Sequence, residues 1–525
     1  MEISKKQLDL ILMEIAQASP VSEQALLNLV RTTAGRFKQA SPEKSLLLFT
    51  YRRLVKSGKI KTNKNIERFL TKRAVRTMSG VAVISVLTKP QSCPGNCLFC
   101  PTEKDMPKSY LSNEPAVMRA ILNDFDPYRQ VTMRLKALTA NGHATDKIEL
   151  IIMGGTWSDH APQYQAWFIK RAFEALNGRS TKDLKTAQKK NETAKHRCIG
   201  LTLETRPDYI TPTEIKRMRN FGCTRVELGI QHTDDKILKL NRRGHTAQQA
   251  IQAIKLLKNA GFKINLHLMP NMYGSTPTKD LKMFKQIFTD GNYMPDMIKI
   301  YPCVVNEHAD LYKLYKQKKY RPYTDKQLLE LLKKIKKITP PWVRITRLIR
   351  DIPEESIIAG NKITNLRQLL QEQAKREGWS CQCIRCREAG HQPNDKKQKI
   401  KLIKKVYQAS GGEEHFLSFE SADEKVLYAF ARLRLPDHPE QAILPELKNC
   451  ALIRELHTYG QLAELGEAGE VQHLGLGKKL LLEAEKIARQ HGYQKIAVIS
   501  GIGVREYYKK NGYNLVGTYM IKYLK

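Results

Sequence analysis

The sequence predicts an α/β protein in three parts: a small basic helical unit, a partial (β/α)6 barrel and a second, smaller α/β unit. Three observations carry this prediction. Between residues 81 and 304, short β-branched runs alternate with amphipathic helical stretches, which is the pattern of a parallel sheet with crossover helices. Before them, residues 5–17 and 22–33 place apolar side chains at helical spacing. After about residue 411 the charge changes character: fifteen basic residues meet fifteen acidic ones, so the whole net charge of +37 lies in residues 1–410. A chain of 525 residues with 41% hydrophobic content is long enough for two or three domains with buried cores. The expected boundaries are 1–80, 81–350, 351–410 and 411–525, with 351–410 as a cysteine-rich connecting segment.

The first unit is read as helices from Leu8, Ile11, Leu12 and Ile15, then Leu26, Leu27 and Val30, with a proline and a capping serine in SPVSEQ between them. Helical spacing continues through SLLLFTYRRLVKSGKI and IERFLTKRAVRT. Residues 31–80 hold fourteen basic against two acidic residues, and residues 311–350 thirteen against two. Such a one-sided excess is a footprint for a polyanion, most simply nucleic acid. Tyr51, Arg52, Arg53, Lys56 and Lys59 put an aromatic ring and four cations in one segment, compatible with RNA contact or with a charged outer helix face.

The barrel strands are expected at VAVISVL (81–87), KIELIIM (147–153), CIGLTLE (198–204), TRVELGI (224–230), KINLHLM (263–269) and MIKIYPC (297–303). In parallel barrels the chemistry sits where strands end and loops begin. The polar groups fall there: Gly154, Gly155 and Thr156 after the second strand, Glu204, Thr205 and Arg206 after the third, Gln231 and His232 after the fourth, and Asn271 after the fifth.

The first strand runs into QSCPGNCLFCP (91–101), which places Cys93, Cys97 and Cys100 at C-x3-C-x2-C spacing with Phe99 before the last cysteine. Structural zinc wants four protein ligands, and no fourth candidate follows within forty residues. A 4Fe-4S cluster held by three cysteines keeps one iron open. This loop resembles that of the radical S-adenosylmethionine enzymes, and the resemblance covers residues 81–304. It implies that the open iron takes the amino and carboxylate groups of S-adenosylmethionine. It also implies that Gly154, Gly155 and Thr156 approach the methionine end, and that Glu204 and Arg206 reach the ribose or carboxylate.

Downstream, a lysine-rich helix, a double proline and a strand carrying Arg344, Arg347 and Arg350 lead to Cys381, Cys383 and Cys386, with His391 five residues on. Three cysteines and a histidine suit tetrahedral zinc; a reduced cysteine-rich turn is the plainer alternative, and Cys303 competes as the fourth ligand. Lysine-rich residues 394–405 read as a linker. In the last unit, KVLYAFARLRL and NCALIRELHTYG read as strands. Gln472, Gly475 and Gly477 then make a Q-x-x-G-x-G turn before an amphipathic helix, offering free backbone N–H groups to a pyrophosphate. Strand KIAVISG and REYYKKNGY complete a pattern that resembles the GCN5-related acetyltransferases, which bind acetyl-CoA. Tyr507 and Tyr508 are then candidates to place a phenol near the thioester sulfur, packing tyrosines being the alternative.

A barrel of the first kind fused to a unit of the second resembles the family of Elongator catalytic subunits, with SYLSNEPAVMRA, LETRPD, CIRCRE, RELHTYG and VISGIGVREYYKKNGY carrying the match. The resemblance spans residues 35–525. It implies a tRNA-modifying enzyme that installs a carboxymethyl group on carbon-5 of the anticodon wobble uridine. By the same resemblance, Lys147, Glu455, Leu456, His457, Thr458, Leu476, Gly477, Lys478 and Tyr508 contact acetyl-CoA. The implied partners are the tRNA anticodon stem-loop, an electron donor, and Elongator-type subunits or a second copy of the chain. The sequence departs from the family pattern at Thr102 and Glu103, where glycines usually follow the third cysteine. Two rival readings are a protein lysine acetyltransferase in which the barrel is only a scaffold, and a non-enzymatic tRNA-binding module with a structural cluster. Apolar runs too short for a membrane span, and cysteines clustered at metal-like spacing, lead us to expect a reduced, cytoplasmic protein.

Overall fold

The computed structural model describes residues 3–71, 80–91, 93–391, 399–459 and 475–524. Its first sheet is parallel and runs in sequence order through β1 (Ala82–Leu87), β2 (Lys147–Met153), β3 (Arg197–Thr205), β4 (Arg225–Gln231), β5 (Lys263–Leu268), β6 (Met297–Ile300) and β7 (Arg344–Arg347). The six expected strands are all present. The arginine-bearing strand after the double proline joins them as a seventh, because Arg344 pairs with Met297 and Ile345 with Ile298. Helices Pro162–Asn177, Pro212–Asn220, Ala247–Asn259, Pro277–Thr289 and Asp325–Ile338 cover the outer face. Their apolar stripes, such as Ile254 and Leu257 or Leu331 and Ile335, are buried in one core with the strands.

The second sheet is mostly antiparallel: β8 (Ile400–Gln408), β9 (Gly412–Ser421), β10 (Leu427–Pro436), β11 (Cys450–Thr458), β12 (Lys495–Val498), β13 (Asn514–Val516) and β14 (Tyr519–Tyr523). They lie in the order β13-β14-β12-β11-β10-β9-β8, with β11 and β12 parallel. The long helix Leu476–Gln490 packs its apolar face on this sheet through Leu480, Leu481, Ala484 and Ala488. The lysine-rich stretch expected as a linker is corrected here. Residues 394–398 lie outside the described residues, whereas 400–405 belong to β8, an outer strand that carries Lys401, Lys404 and Lys405 among apolar residues and makes a hairpin with β9 across residue 410.

Helices α1 (Lys5–Ala18), α2 (Glu23–Arg36), α3 (Lys44–Lys56) and α4 (Lys64–Leu70) form the N-terminal unit around their own core. Ser22 caps α2 by accepting from the Ala25 N–H at 3.1 Å. Tyr51 is buried in this core, its hydroxyl accepting from the Asn63 N–H, so its ring is not available to stack on a base.

The two sheets are joined at the foot of the half-barrel by buried charges. Asp296, just before β6, takes both terminal nitrogens of Arg454 from β11, and Arg432 lies 3.6 Å away. Glu414 of β9 accepts from Arg434 at 3.0 Å and from Arg454 at 3.2 Å, with Lys258 at 3.5 Å. Glu455 pairs with Arg432 at 2.9 Å and with Lys263 at 3.4 Å. Burial outweighs the two carboxylates beside Lys258 and brings its ammonium down to about 8. Hydrogen bonds from Arg454 to the Phe262 carbonyl, Arg432 to the Trp342 carbonyl and Tyr519 to the Ala260 carbonyl complete the junction.

Removing one partner of a buried ion pair leaves the other charge uncompensated, at a cost of about 3–5 kcal/mol. Asp296→Ala is therefore expected to lower stability by that order in urea denaturation and to separate the unfolding of the two sheets. An unchanged midpoint would show that the junction is held by other contacts.

Candidate functional site

The cluster loop hangs over the C-terminal mouth of the half-barrel. It is tied down by backbone bonds from Leu98 N–H to the Asn241 carbonyl, Leu311 N–H to the Leu98 carbonyl and Thr102 N–H to the His308 carbonyl. Phe99 packs against Cys303, Val305, Leu311 and Tyr320. Cys93 accepts from the Gly95 N–H at 3.4 Å and lies 3.9 Å from the Thr156 hydroxyl; Cys97 lies 3.6 Å from Arg243. Burial, with Cys97 beside it, pushes the Cys100 thiol up to about 11 in the absence of a metal.

Arg206 stands against this loop. Two of its nitrogens hold Asp208 at 2.9 and 2.7 Å, while its third, Nη1, is buried without a partner. A Cβ on Gly95 would come within 2.3 Å of that nitrogen, so glycine is what allows the guanidinium to reach the loop. Arg243 and Arg206 thus bring two guanidiniums to the cysteines.

Beneath the loop, Gly154 and Gly155 turn sharply out of β2. Gly154 has φ +128°, and a Cβ there would sit 2.0 Å from the Thr88 hydroxyl. A narrow cleft runs between this turn and the loop, lined by Gln91, Cys93, Lys108, Gly154, Thr156, Asp159 and His160. Glu204 points into the mouth, accepting from the Tyr110 hydroxyl at 3.1 Å, with His267 at 3.6 Å. His267 continues to Glu227 at 3.0 Å, and Lys299 pairs with the same carboxylate. Burial opposes ionisation of Glu227, yet Lys299 and His267 hold its carboxyl well below the usual range. The barrel interior is therefore a continuous polar file rather than an apolar plug. Asn271 and His232 serve the frame. Asn271 bonds to Asp280, the Cys303 carbonyl and Tyr323, and His232 lies buried 3.5 Å from Asp280.

The second candidate site lies where β11 and β12 part. They pair only from Cys450–Lys495 to Ile453–Val498, whereas β11 stays bonded to β10 through Thr458. Among the described residues, the other edge of Glu455, Leu456, His457 and Thr458 is left unpaired by strand bonds. Helix Leu476–Gln490 begins beside it, with Gly475 left-handed and Leu476, Gly477 and Lys478 in the first turn, whose N–H groups lack helical acceptors. A Cβ on Gly477 would meet the Tyr507 hydroxyl at 3.1 Å and Thr458 at 3.6 Å, so these three groups converge. Tyr507 is 40% exposed, whereas Tyr508 is 6% exposed and packs edge-on to Tyr513 in the core. Gln472 lies outside the described residues.

On the opposite face of β11, Glu455 and His457 look toward the barrel foot. Burial lowers the His457 imidazole to about 4, and its Nε2 is buried without a partner, between Phe430 and Tyr459. Lys147 stands at the foot of β2, in register with Arg197, and Arg197 packs against Gly503 of the second unit. Lys147 thus lies one strand away from the Ile502–Val504 turn of the second unit.

Cys381, Cys383 and Cys386 bring their sulfurs within 4.8 Å of one another, with Lys336 3.5 Å from Cys386. Cys303 is not in this group; it is buried by Leu311 and Tyr320. The side chain of His391 lies outside the described residues. The segment bridges the sheets: Arg387 bonds to Glu420 and to the Pro341 carbonyl, and Glu388 to Arg344 of β7. Of the basic residues expected on RNA, Arg52 pairs with Glu67 at 2.6 Å and reaches the carbonyls of Thr139 and Gly142, and Arg53 pairs with Asp9. Lys56 and Lys59 are exposed. A second basic edge, Lys313, Lys316, Lys318, Lys319 and Arg321, is exposed next to the cluster loop.

Sequence reasoning missed Arg243, Asp208 and Tyr110. Arg243 comes from a loop far along the chain, whereas Tyr110 and Asp208 stand inside SYLSNEPAVMRA and LETRPD, where nothing in the residue pattern singles them out.

The fold and the two sites define a radical S-adenosylmethionine half-barrel joined to a GCN5-related acetyltransferase unit. Residues 88–286 match the Radical SAM superfamily, 295–376 the Radical_SAM C-terminal domain and 384–513 the Acetyltransferase (GNAT) family. The chain is 48% identical over 471 residues to a tRNA uridine(34) acetyltransferase of Methanocaldococcus jannaschii, covering 87% of each chain. It is 38% identical over 474 residues to Elongator complex protein 3 of Homo sapiens, covering 87% of this chain and 86% of the human one. A solved structure of the archaeal Methanocaldococcus infernus Elp3 with an N-terminal deletion (1–46) superposes with a TM-score of 0.75 at 44% identity, over 85% of this chain and 100% of that one. The chain belongs to the family that these proteins form. Membership implies a 4Fe-4S cluster and S-adenosylmethionine for the half-barrel, and acetyl-CoA fits the second unit.

The turn at Gly154 tests the geometry directly. Gly154→Ala forces a Cβ into the Thr88 hydroxyl at a backbone angle that L-residues resist, a strain of about 1–3 kcal/mol. A lower denaturation midpoint is expected, and an equal one would mean that the turn rearranges freely.

Proposed function

We propose that this chain uses radical chemistry to install a carboxymethyl group, drawn from acetyl-CoA, on carbon-5 of the wobble uridine of tRNA. Three features support the cluster in the half-barrel. The donor set is three thiols in one loop, two guanidiniums face them, and the buried Nη1 of Arg206 is left for an anionic group. When bound, a reduced cluster supplies the electron that cleaves S-adenosylmethionine. Cys93, Cys97 and Cys100 would hold it, leaving one iron for the methionine end. The backbone at Gly154 and Gly155 would line the methionine, and Glu204 with Arg206 would orient the rest.

The acyl donor would lie along the free edge of β11, with its pyrophosphate on the N–H groups of Leu476, Gly477 and Lys478 and its thioester near the Tyr507 hydroxyl. Lys147 would contact it from the barrel side. The observation that carries the reading is the junction itself. Arg344 of β7 donates to the Tyr459 hydroxyl at 2.9 Å, and Lys263 of β5 meets Glu455 of β11, so the strand that would hold the donor is fixed to the foot of the barrel that would hold the radical source. The tRNA would meet the exposed lysines beside the cluster loop and on α3. Cys381, Cys383 and Cys386 would hold zinc at the bridge between the sheets, with His391 as the fourth ligand.

Anaerobic incubation with tRNA, S-adenosylmethionine, acetyl-CoA and a reductant should yield 5-carboxymethyluridine by nucleoside mass spectrometry. Cys97→Ala should lose both the cluster absorbance and the product while acetyl-CoA still binds. Full product from that variant would refute the radical assignment.

Charge reversal at Lys56, Lys59, Lys316 and Lys319 should weaken tRNA binding and flatten its salt dependence by about 0.9 in log–log slope per lost phosphate contact. Free acetyl-CoA binding should not change. An unaltered salt slope would remove these lysines from the RNA surface.

A further inference from the structure

A second group of metal-type ligands stands apart from both cysteine sets. We propose that Glu413, His415 and His491 form a site for zinc or a similar borderline divalent cation, which pins the far end of helix Leu476–Gln490 to β9. Glu413 and His415 are two residues apart on β9 and therefore share one face of the strand. His491 is the residue that ends the helix, and it comes down onto that face.

The donor atoms of all three lie within 4.8 Å of one another. Glu413 Oε1 is 2.7 Å from His415 Nε2 and 3.7 Å from His491 Nε2, and the two imidazoles meet edge to face at 5.7 Å. Metal–nitrogen bonds of about 2.0–2.1 Å in a tetrahedron put neighbouring donors ~3.3 Å apart. Small side-chain rotations therefore suffice to close the site.

Two further features favour a cation here. His491 Nδ1 lies 2.9 Å from the Ile487 carbonyl. Donating there fixes the tautomer with the lone pair on Nε2, aimed at Glu413, as in metal-bound histidines whose other nitrogen is held by a carbonyl. The site also lies at the negative end of a long helix, where a positive charge is stabilised. Two imidazoles and a single carboxylate suit zinc and its neighbours rather than magnesium or calcium, which take mostly oxygen ligands. His491 is 45% exposed, so water can fill the fourth position. The neighbouring residue Glu414 belongs to the buried charge junction, so a bound metal would stiffen the strand that anchors the two sheets.

The test is to strip the full-length chain of metal, dialyse it against buffered zinc alone, and count the zinc retained. The parent should hold one equivalent more than His491→Ala or Glu413→Gln. Cys383→Ser should keep this equivalent, because it touches a different set of ligands. Zinc should raise the parent's denaturation midpoint, the rise should shrink in His491→Ala, and His491→Cys, which restores a zinc donor at a half-exposed position, should recover it. If His491→Ala and Glu413→Gln retain the parental zinc count and the full rise, the three residues are only a carboxylate–imidazole hydrogen-bond cluster and the proposal is wrong.

Discussion

Asp296 stands one residue before β6 and gives both carboxylate oxygens to Arg454 of the second sheet, while also accepting from the Ile264 N–H of β5. One side chain thus sets the height of two barrel strands relative to the strand that carries the proposed acyl-donor edge. Around it, Glu414 and Glu455 share Arg432, Arg434, Arg454, Lys258 and Lys263. Cations outnumber carboxylates, and burial draws the Lys258 ammonium toward neutrality. Buried ion pairs seldom add net stability over apolar packing. What they add here is direction: Arg432 and Arg454 are each divided among several fixed carboxylates and carbonyls, so sliding one sheet over the other would strand several charges at once.

That fixed geometry gives the two candidate sites a physical relation. The cluster loop closes the C-terminal mouth of the half-barrel, and the free edge of β11 lies at the opposite end, against the feet of the same strands. Between them runs the polar interior of Glu204, His267, Glu227 and Lys299. The frame thus holds the two sites at a fixed separation, one at each end of the same strands. The cysteine-rich segment supports the frame from one side, through Arg387 to Glu420 and Glu388 to Arg344. Trp342, stacked on Tyr407 at 4.4 Å, closes the gap beside it.

Much of this was legible in the residues. Strand–helix alternation located six of the seven barrel strands, since a parallel sheet buried on both faces leaves continuous β-branched runs. The cluster cysteines, the glycine turn and the glycines before helix Leu476–Gln490 were legible because each depends on local spacing. What local spacing does not encode was missed. β8 reads as a charged linker, because its three lysines fall on both faces and break the apolar alternation that marks a strand. Tyr51 reads as part of a segment compatible with RNA contact or with a charged outer helix face, yet three-dimensional packing turns it into the helical core. Arg243 reaches Cys97 across 146 residues, and the ion junction unites residues 258 to 455; no pattern along the chain announces either.

In the proposed reaction, carbon from the acyl group bound at β11 ends on a tRNA base through chemistry begun in the barrel. Supplying acetyl-CoA with carbon-13 at both acetyl carbons, together with tRNA, S-adenosylmethionine and a reductant, follows that carbon directly. The modified wobble uridine should gain both labelled carbons, and only when S-adenosylmethionine is present. Label that instead appears as an acetyl group on a lysine or other amine, regardless of S-adenosylmethionine, would contradict it.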